Sequence, residues 1–314
     1  MTDDPTAPAD PATVRWRLRL AYDGSAFRGF AAQHGQPHVP TVAGTLSAAL
    51  ARVTRVPAPA LTCAGRTDAG VHALDQVVHV DLPADLAAGL DPVAVVRSVN
   101  RMLAPSVVVR EAGPVDATFD ARRSATARRY RYLVVNAPTA DPLLAPLAWH
   151  VADPLDLRAL SAAADALLGE HDFRAFCRRV PGTSAEDPIT RRVVEARWTE
   201  VVASPAAALV PVEGHLLAFE IEANAFCHQM VRSLVGTLVD VGRGRKRASD
   251  ILWILRSADR GQASEPAPPA GLTLVAVRYP SDAGGGGGPG ADRARPGTAG
   301  WPPAPGLPTR ANWS

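Results

Sequence analysis

Three observations predict an α+β fold. In 14–22 (VRWRLRLAY) apolar Val14, Trp16, Leu18, Leu20 and Tyr22 alternate with Arg15, Arg17 and Arg19, the period of a half-buried strand. Two helix starts are chemically explicit, Thr41 before an apolar stripe and Asp91 followed by Pro92. The elements also repeat in order, β-α-β-β-α-β and then roughly the same again with one added helix. That order is ferredoxin-like (RRM-like): two halves with antiparallel sheets, helices on one face, and a central cleft left free for a large ligand.

In chain order, Thr41 caps a helix that turns Val42, Leu46, Ala49, Leu50 and Val53 toward a core. Short apolar runs near 60–64 and 76–81 read as strands. The helix from Asp91 and a strand near 106–111 close the first half. In the second half, 128–135 reads as a strand and 156–168 as a helix capped by Asp156 and ended by Gly169. Strands near 191–202 and 214–222 follow, then helices over 226–241 and 249–256, then a last strand in LTLVAVRY. The division is a disordered tail (1–13), an N-terminal half (14–117), a C-terminal half (118–280) and a disordered Gly/Pro-rich tail (281–314).

The chain has 314 residues, 47% hydrophobic and 20% charged, enough apolar material for a sizeable core. It contains no apolar run long enough for a membrane span. The start, MTDDPTAPADPAT, holds three acids and no apolar core, so it does not read as a secretory signal. Cys63, Cys177 and Cys227 are odd in number and far apart, which fits neither a disulfide framework nor a zinc cluster and points to a reducing compartment. Net charge is only +2, but Arg122, Arg123, Arg128, Arg129 and Arg131 fall in ten residues free of acids. Such a stripe is either a solvated face or a polyanion surface.

Three segments concentrate chemistry. CAGRTDAGVHA (63–73) is a loop whose small residues surround Arg66, Asp68 and His72. An Arg near an Asp orients its carboxylate, for nucleophilic or general-base work or simply to stiffen a turn. ARRSATARRYRY (121–132) mixes arginines with Tyr130 and Tyr132, the ingredients of phosphate contact and base stacking, although one tyrosine can equally be core. NAFCHQMVRSLVG (224–236) has an apolar stripe of Phe226, Met230, Leu234 and Val235, with His228 and Arg232 four apart. No second ligand sits at metal spacing from His228.

Together with YDGSAFRGF (22–30) and LLGEHDFRAF (167–176), these segments resemble the tRNA pseudouridine synthase A family, in the family's order and across about 14–280. The resemblance implies an isomerase that converts uridine to pseudouridine at positions 38, 39 or 40 of the tRNA anticodon stem-loop. It implies Asp68 as the essential aspartate, Arg66 as the arginine paired with it, and Tyr130 as the aromatic residue on the target uracil. Phe226 and Arg232 would line the same cleft, and Arg122, Arg123, Arg128 and Arg129 are candidates for the RNA backbone. It implies no cofactor or metal, tRNA as partner, a homodimer and a cytoplasmic setting without membrane. The segment Phe27-Arg28-Gly29-Phe30-Ala31 departs from the family's usual Y-x-G-W-Q, and RRVPGTSAEDPIT (178–190) reads as an inserted flap. Two other readings have physical content. One is a uracil C5-methyltransferase with Cys63 as nucleophile; the other is an RNA-binding module without catalysis.

Overall fold

The computed structural model describes residues 13–32, 38–178, 186–201 and 214–280. Both tails (all but Thr13 of 1–13, and 281–314), part of the loop after Phe30, and 179–185 of the inserted segment lie outside the described residues. The strands are β1 (Thr13–Tyr22), β2 (Thr62–Cys63), β3 (His72–Pro83), β4 (Val107–Pro114), β5 (Ala127–Asn136), β6 (Trp149–Val151), β7 (Gly169–Asp172), β8 (Thr190–Glu200), β9 (His215–Ala223) and β10 (Leu272–Arg278). The helices are α1 (Val42–Thr54), α2 (Ala84–Ala87), α3 (Pro92–Leu103), α4 (Leu157–Asp165), α5 (Met230–Gly242) and α6 (Asp250–Ser257).

The caps form where the side chains place them. Thr41 Oγ1 accepts from Gly44 N, Asp91 accepts from Val93 N and Ala94 N, and Asp156 accepts from Arg158 N and Ala159 N. α4 stops at Asp165, short of the expected end: Gly169, in a left-handed conformation at φ +99°, opens β7 instead. β6 and β7, three and four residues long, carry no periodic signal that would have announced them.

All ten strands form one sheet. Its order is β4-β1-β3-β10-β5-β9-β8-β7, with β2 also on β3 and β6 also on β5. The antiparallel sheets expected for the two halves are thus joined into one. β10 runs parallel to β3 (Thr273 opposite His72) and antiparallel to β5 (Leu274 opposite Tyr130), closing the gap between them. An edge left open there would expose unpaired backbone groups, and β10 satisfies both sides.

The alternation in β1 sorts by face. Trp16, Leu18, Leu20 and Tyr22 are buried in the core, while Arg15, Arg17 and Arg19 point to the other side. There they meet acids on neighbouring strands: Arg15 bonds Asp81 at 2.7 Å, directly opposite in register, Arg19 reaches Asp75 at 2.8 Å, and Arg17 reaches Glu111 at 3.2 Å. β5 repeats the device. Arg129 stands opposite Glu222 and Arg131 opposite Glu220, which also receives Arg197 from β8. Cross-strand ion pairs thus occupy the arginines of β1 and two of those in β5.

Glu220 gives a pH prediction. Burial pushes its carboxyl up, but Arg131 and Arg197 together outweigh it and leave the pKa below the ordinary value of 4.5. A depressed carboxylate stabilises the fold above its unfolded pKa, and that contribution is lost as pH falls through the lower folded value. Glu220→Gln should therefore flatten the decline of melting temperature below about pH 4.5. An acid limb as steep as wild type would show that the carboxylate does not contribute it.

Candidate active site

The CAGRTDAGVHA segment leaves β2, loops out at 64–71 and returns as β3 beside β10, at the centre of the sheet. It is braced from below. Tyr22 Oη and Thr67 Oγ1 share a 2.8 Å hydrogen bond, and the fully buried Gln76 donates to Gly65 O at 2.7 Å. The 22–30 segment packs along the loop's flank, with Phe30 N donating to Thr67 O and Gly70 N to Phe27 O. Gly24 is required there: a Cβ on it would lie 2.0 Å from Val71 O. Gly24→Ala is expected to cost about 2 kcal/mol by overpacking, read as a lowered urea midpoint; a midpoint equal to wild type would refute that contact. His72 Nδ1 accepts from Gly24 N at 3.1 Å and lies 3.2 Å from Asp23 Oδ1, and Nε2 meets Pro146 O at 3.0 Å, so the ring braces the same turn.

Asp68 emerges from this frame with its side chain 23% exposed. Arg232 Nη1 donates to Oδ2 at 3.1 Å, and His228 Nε2 lies 3.3 Å from Oδ1. Arg232 is itself anchored, donating from Nε to Ala267 O at 2.7 Å. The expected partner, Arg66, is exposed and is not one of the two side chains on Asp68. Sequence proximity suggested Arg66; the fold brings an arginine 164 residues away instead.

Tyr130 is buried beside this group, and Phe226 meets its ring edge-on, with centroids 5.0 Å apart at 83°. Burial pushes the Tyr130 phenol well above its ordinary pKa, so it serves as a packing group, not a base. Tyr132 is core, its hydroxyl donating to Pro268 O. Cys63 is also buried, and desolvation raises its thiol to about 11 despite the nearby charges of Arg66 and Arg122. A thiol so protonated is a poor nucleophile, which removes the basis for the methyltransferase reading.

Phe226, His228 and Gln229 stand in an irregular turn, not in the expected helix. Gln229 adopts φ +62°, which delays α5 to Met230. Asn224 starts the turn by accepting from Arg192 N and Ala225 N. A disulfide between Cys177 and Cys227, with Cα atoms 5.7 Å apart, ties it to the 3-10 turn Arg174–Phe176. This corrects the expectation of unpaired cysteines and takes away the cysteine argument for a reducing compartment. A spacing of 50 residues gives no hint of the pairing; the turn that carries Cys177 beside the site, with Arg178 N donating to His228 O at 2.9 Å, creates it.

The basic segment divides. Arg122 and Arg123 are exposed. Arg129 is engaged by Glu195 and Glu222, and Arg128 is buried, so neither of these two presents a free guanidinium to a phosphate. Arg128 donates to the carbonyls of Ala64, Arg122, Ala125 and Asn224, clamping three segments, and burial lowers its pKa. Among the described residues no three His, Cys, Asp or Glu side chains cluster as a metal site would need, and no helix is long and apolar enough to cross a membrane.

The family model described as tRNA pseudouridine synthase matches residues 163–280. The tRNA pseudouridine synthase A of Frankia casuarinae is 46% identical over 272 residues, covering 86% of this chain and 90% of that one. Those of Cutibacterium acnes and Streptomyces griseus are each 41% identical, covering 86% and 88% of this chain and 90% and 91% of theirs. With likeness at this level over most of the chain added to a braced aspartate beside Arg232, Tyr130 and Phe226, the chain belongs to the tRNA pseudouridine synthase A family.

Proposed function

We propose that this chain isomerises uridine to pseudouridine at positions 38, 39 or 40 of the tRNA anticodon stem-loop, with Asp68 as the essential group. The observation that carries this reading is the setting of Asp68: a partly exposed carboxylate at the middle of the sheet, gripped by Arg232 and flanked by Tyr130 and Phe226. A stem-loop uracil hides its reacting atoms in the stack, so the nucleotide is extruded into the cleft. The N-glycosidic bond breaks, the base turns, and C5 joins C1′. The C5 proton leaves and N1 gains one, so no atoms or electrons are gained overall and no cofactor enters the balance. Asp68 acts as nucleophile or as base in this sequence.

Tyr130 supports the base by packing, with Phe226 behind it. Arg66, exposed on the loop, takes the place vacated by the flipped nucleotide, and the exposed Arg122 and Arg123 contact phosphates. The strand orders β4-β1-β3-β2 and β10-β5-β9-β8 support two ferredoxin-like halves that meet at the cleft, with a boundary near 117–118. A homodimer in the cytoplasm is part of the same reading, and exposed Leu252 and Trp253 on α6 offer it apolar surface. Tritium release from tRNA labelled at C5 of uridine, with wild type and Asp68→Asn, is the test.

A further inference from the structure

We infer that His228 positions the Asp68 carboxylate and relays the proton that Asp68 takes from C5; this rests on the isomerase reading above. The two oxygens of Asp68 face different partners. Oδ2 receives Arg232, which in proteins only donates and cannot carry a proton away, whereas Oδ1 lies 3.3 Å from His228 Nε2. The reaction moves one proton off C5 and puts one on N1 in every turnover, so the site needs a group that both accepts and releases. The nearby alternatives fail. Tyr130 is buried and held protonated, Cys63 is buried behind the loop, and His72 has both ring nitrogens committed to the Gly24 amide and the Pro146 carbonyl. An imidazole has one ring nitrogen that can accept a proton and a second that can release one, and the His228 side chain is 40% exposed.

The position of His228 is also fixed independently of any helix. Its carbonyl accepts from Arg178 N, Cys227 before it is in the disulfide, and Gln229 after it holds the left-handed turn. Three restraints on three consecutive residues place one ring against one carboxylate oxygen. In the relay, the C5–H bond breaks and its electron pair restores the C5–C6 double bond of the uracil. The proton passes to Asp68 Oδ1 and on to His228 Nε2, while the Nδ1 side of the ring releases one to water. Asp68 is thereby returned ionised, and the proton count over the cycle matches the one gained at N1.

The test is single-turnover conversion of tRNA carrying protium or deuterium at C5 of uridine, with wild type, His228→Ala, His228→Gln and Asp68→Asn. His228→Ala is expected to fall about 100-fold in rate with tRNA affinity unchanged, to show a larger C5 isotope effect, and to recover at least about ten-fold with added imidazole. His228→Gln keeps a hydrogen-bond donor but cannot relay, and is expected to stay near His228→Ala. Wild-type rates in both variants would overturn the inference, and so would a loss that imidazole does not restore or that His228→Gln repairs. Those results leave the isomerase reading standing as long as Asp68→Asn is dead; an active Asp68→Asn would sink that reading instead.

Discussion

Asp68→Asn is expected to abolish tritium release from C5-labelled tRNA, a loss on the order of 10⁴-fold or more, while tRNA binding stays within about two-fold of wild type. Asparagine has the same shape. Its amide oxygen can still accept from Arg232 Nη1, and its NH₂ can face His228 Nε2, which accepts in the other tautomer. Phe30 N to Thr67 O and Gln76 to Gly65 O involve no part of the carboxylate, so the loop keeps its form. What disappears is the negative charge and the lone pairs able to attack or take a proton. Release by the variant at the wild-type rate would move the essential group elsewhere. No release from either protein, with tRNA bound by both, would leave an RNA-binding module and end the enzyme reading.

The parts of this arrangement that local chemistry dictates were legible in the sequence. β1 declared itself through its alternation, and the caps at Thr41, Asp91 and Asp156 through their side-chain oxygens. The loop 63–73 stands out through the likeness of the whole string to the family's; its residue types alone fit a turn-stiffening Arg–Asp pair equally well. What the sequence could not reveal was contact across long separations. Sequence proximity points to Arg66, two residues from Asp68, because nothing local distinguishes it from Arg232 on α5. The apolar spacing runs back to Phe226 because it continues through the turn, and only the left-handed Gln229 interrupts it. The junction of the halves by β10 depends on a parallel pair of two residues, Thr273 with His72 and Leu274 with Ala73, too short to leave a pattern. Glu220 and Glu222 alternate on β9 like any exposed acids, and only register with Arg131 and Arg129 makes them partners.

Arg128 is where the two kinds of information diverge most, and it carries the second large prediction. Its place in RRYRY suggests a phosphate contact, yet the guanidinium is buried and its donors are spent on four backbone carbonyls. Ala64 opens the loop that carries Asp68, Asn224 opens the turn that carries Phe226 and His228, and Arg122 and Ala125 belong to the exposed basic segment. One planar fork therefore sets the relative position of the proposed catalytic loop, the turn that carries Phe226, and the exposed Arg122 and Arg123. Arg128→Ala orphans those carbonyls and should lower unfolding free energy by about 3 kcal/mol, seen as a reduced urea midpoint with unchanged slope. Arg128→Lys should lie closer to alanine than to wild type, because a single ammonium cannot span acceptors on three segments. Pseudouridine formation should fall in both variants even at temperatures where they remain folded, since the loop and the turn lose their common anchor. A variant with full stability and weakened tRNA binding would reverse the assignment and return Arg128 to the phosphate contacts.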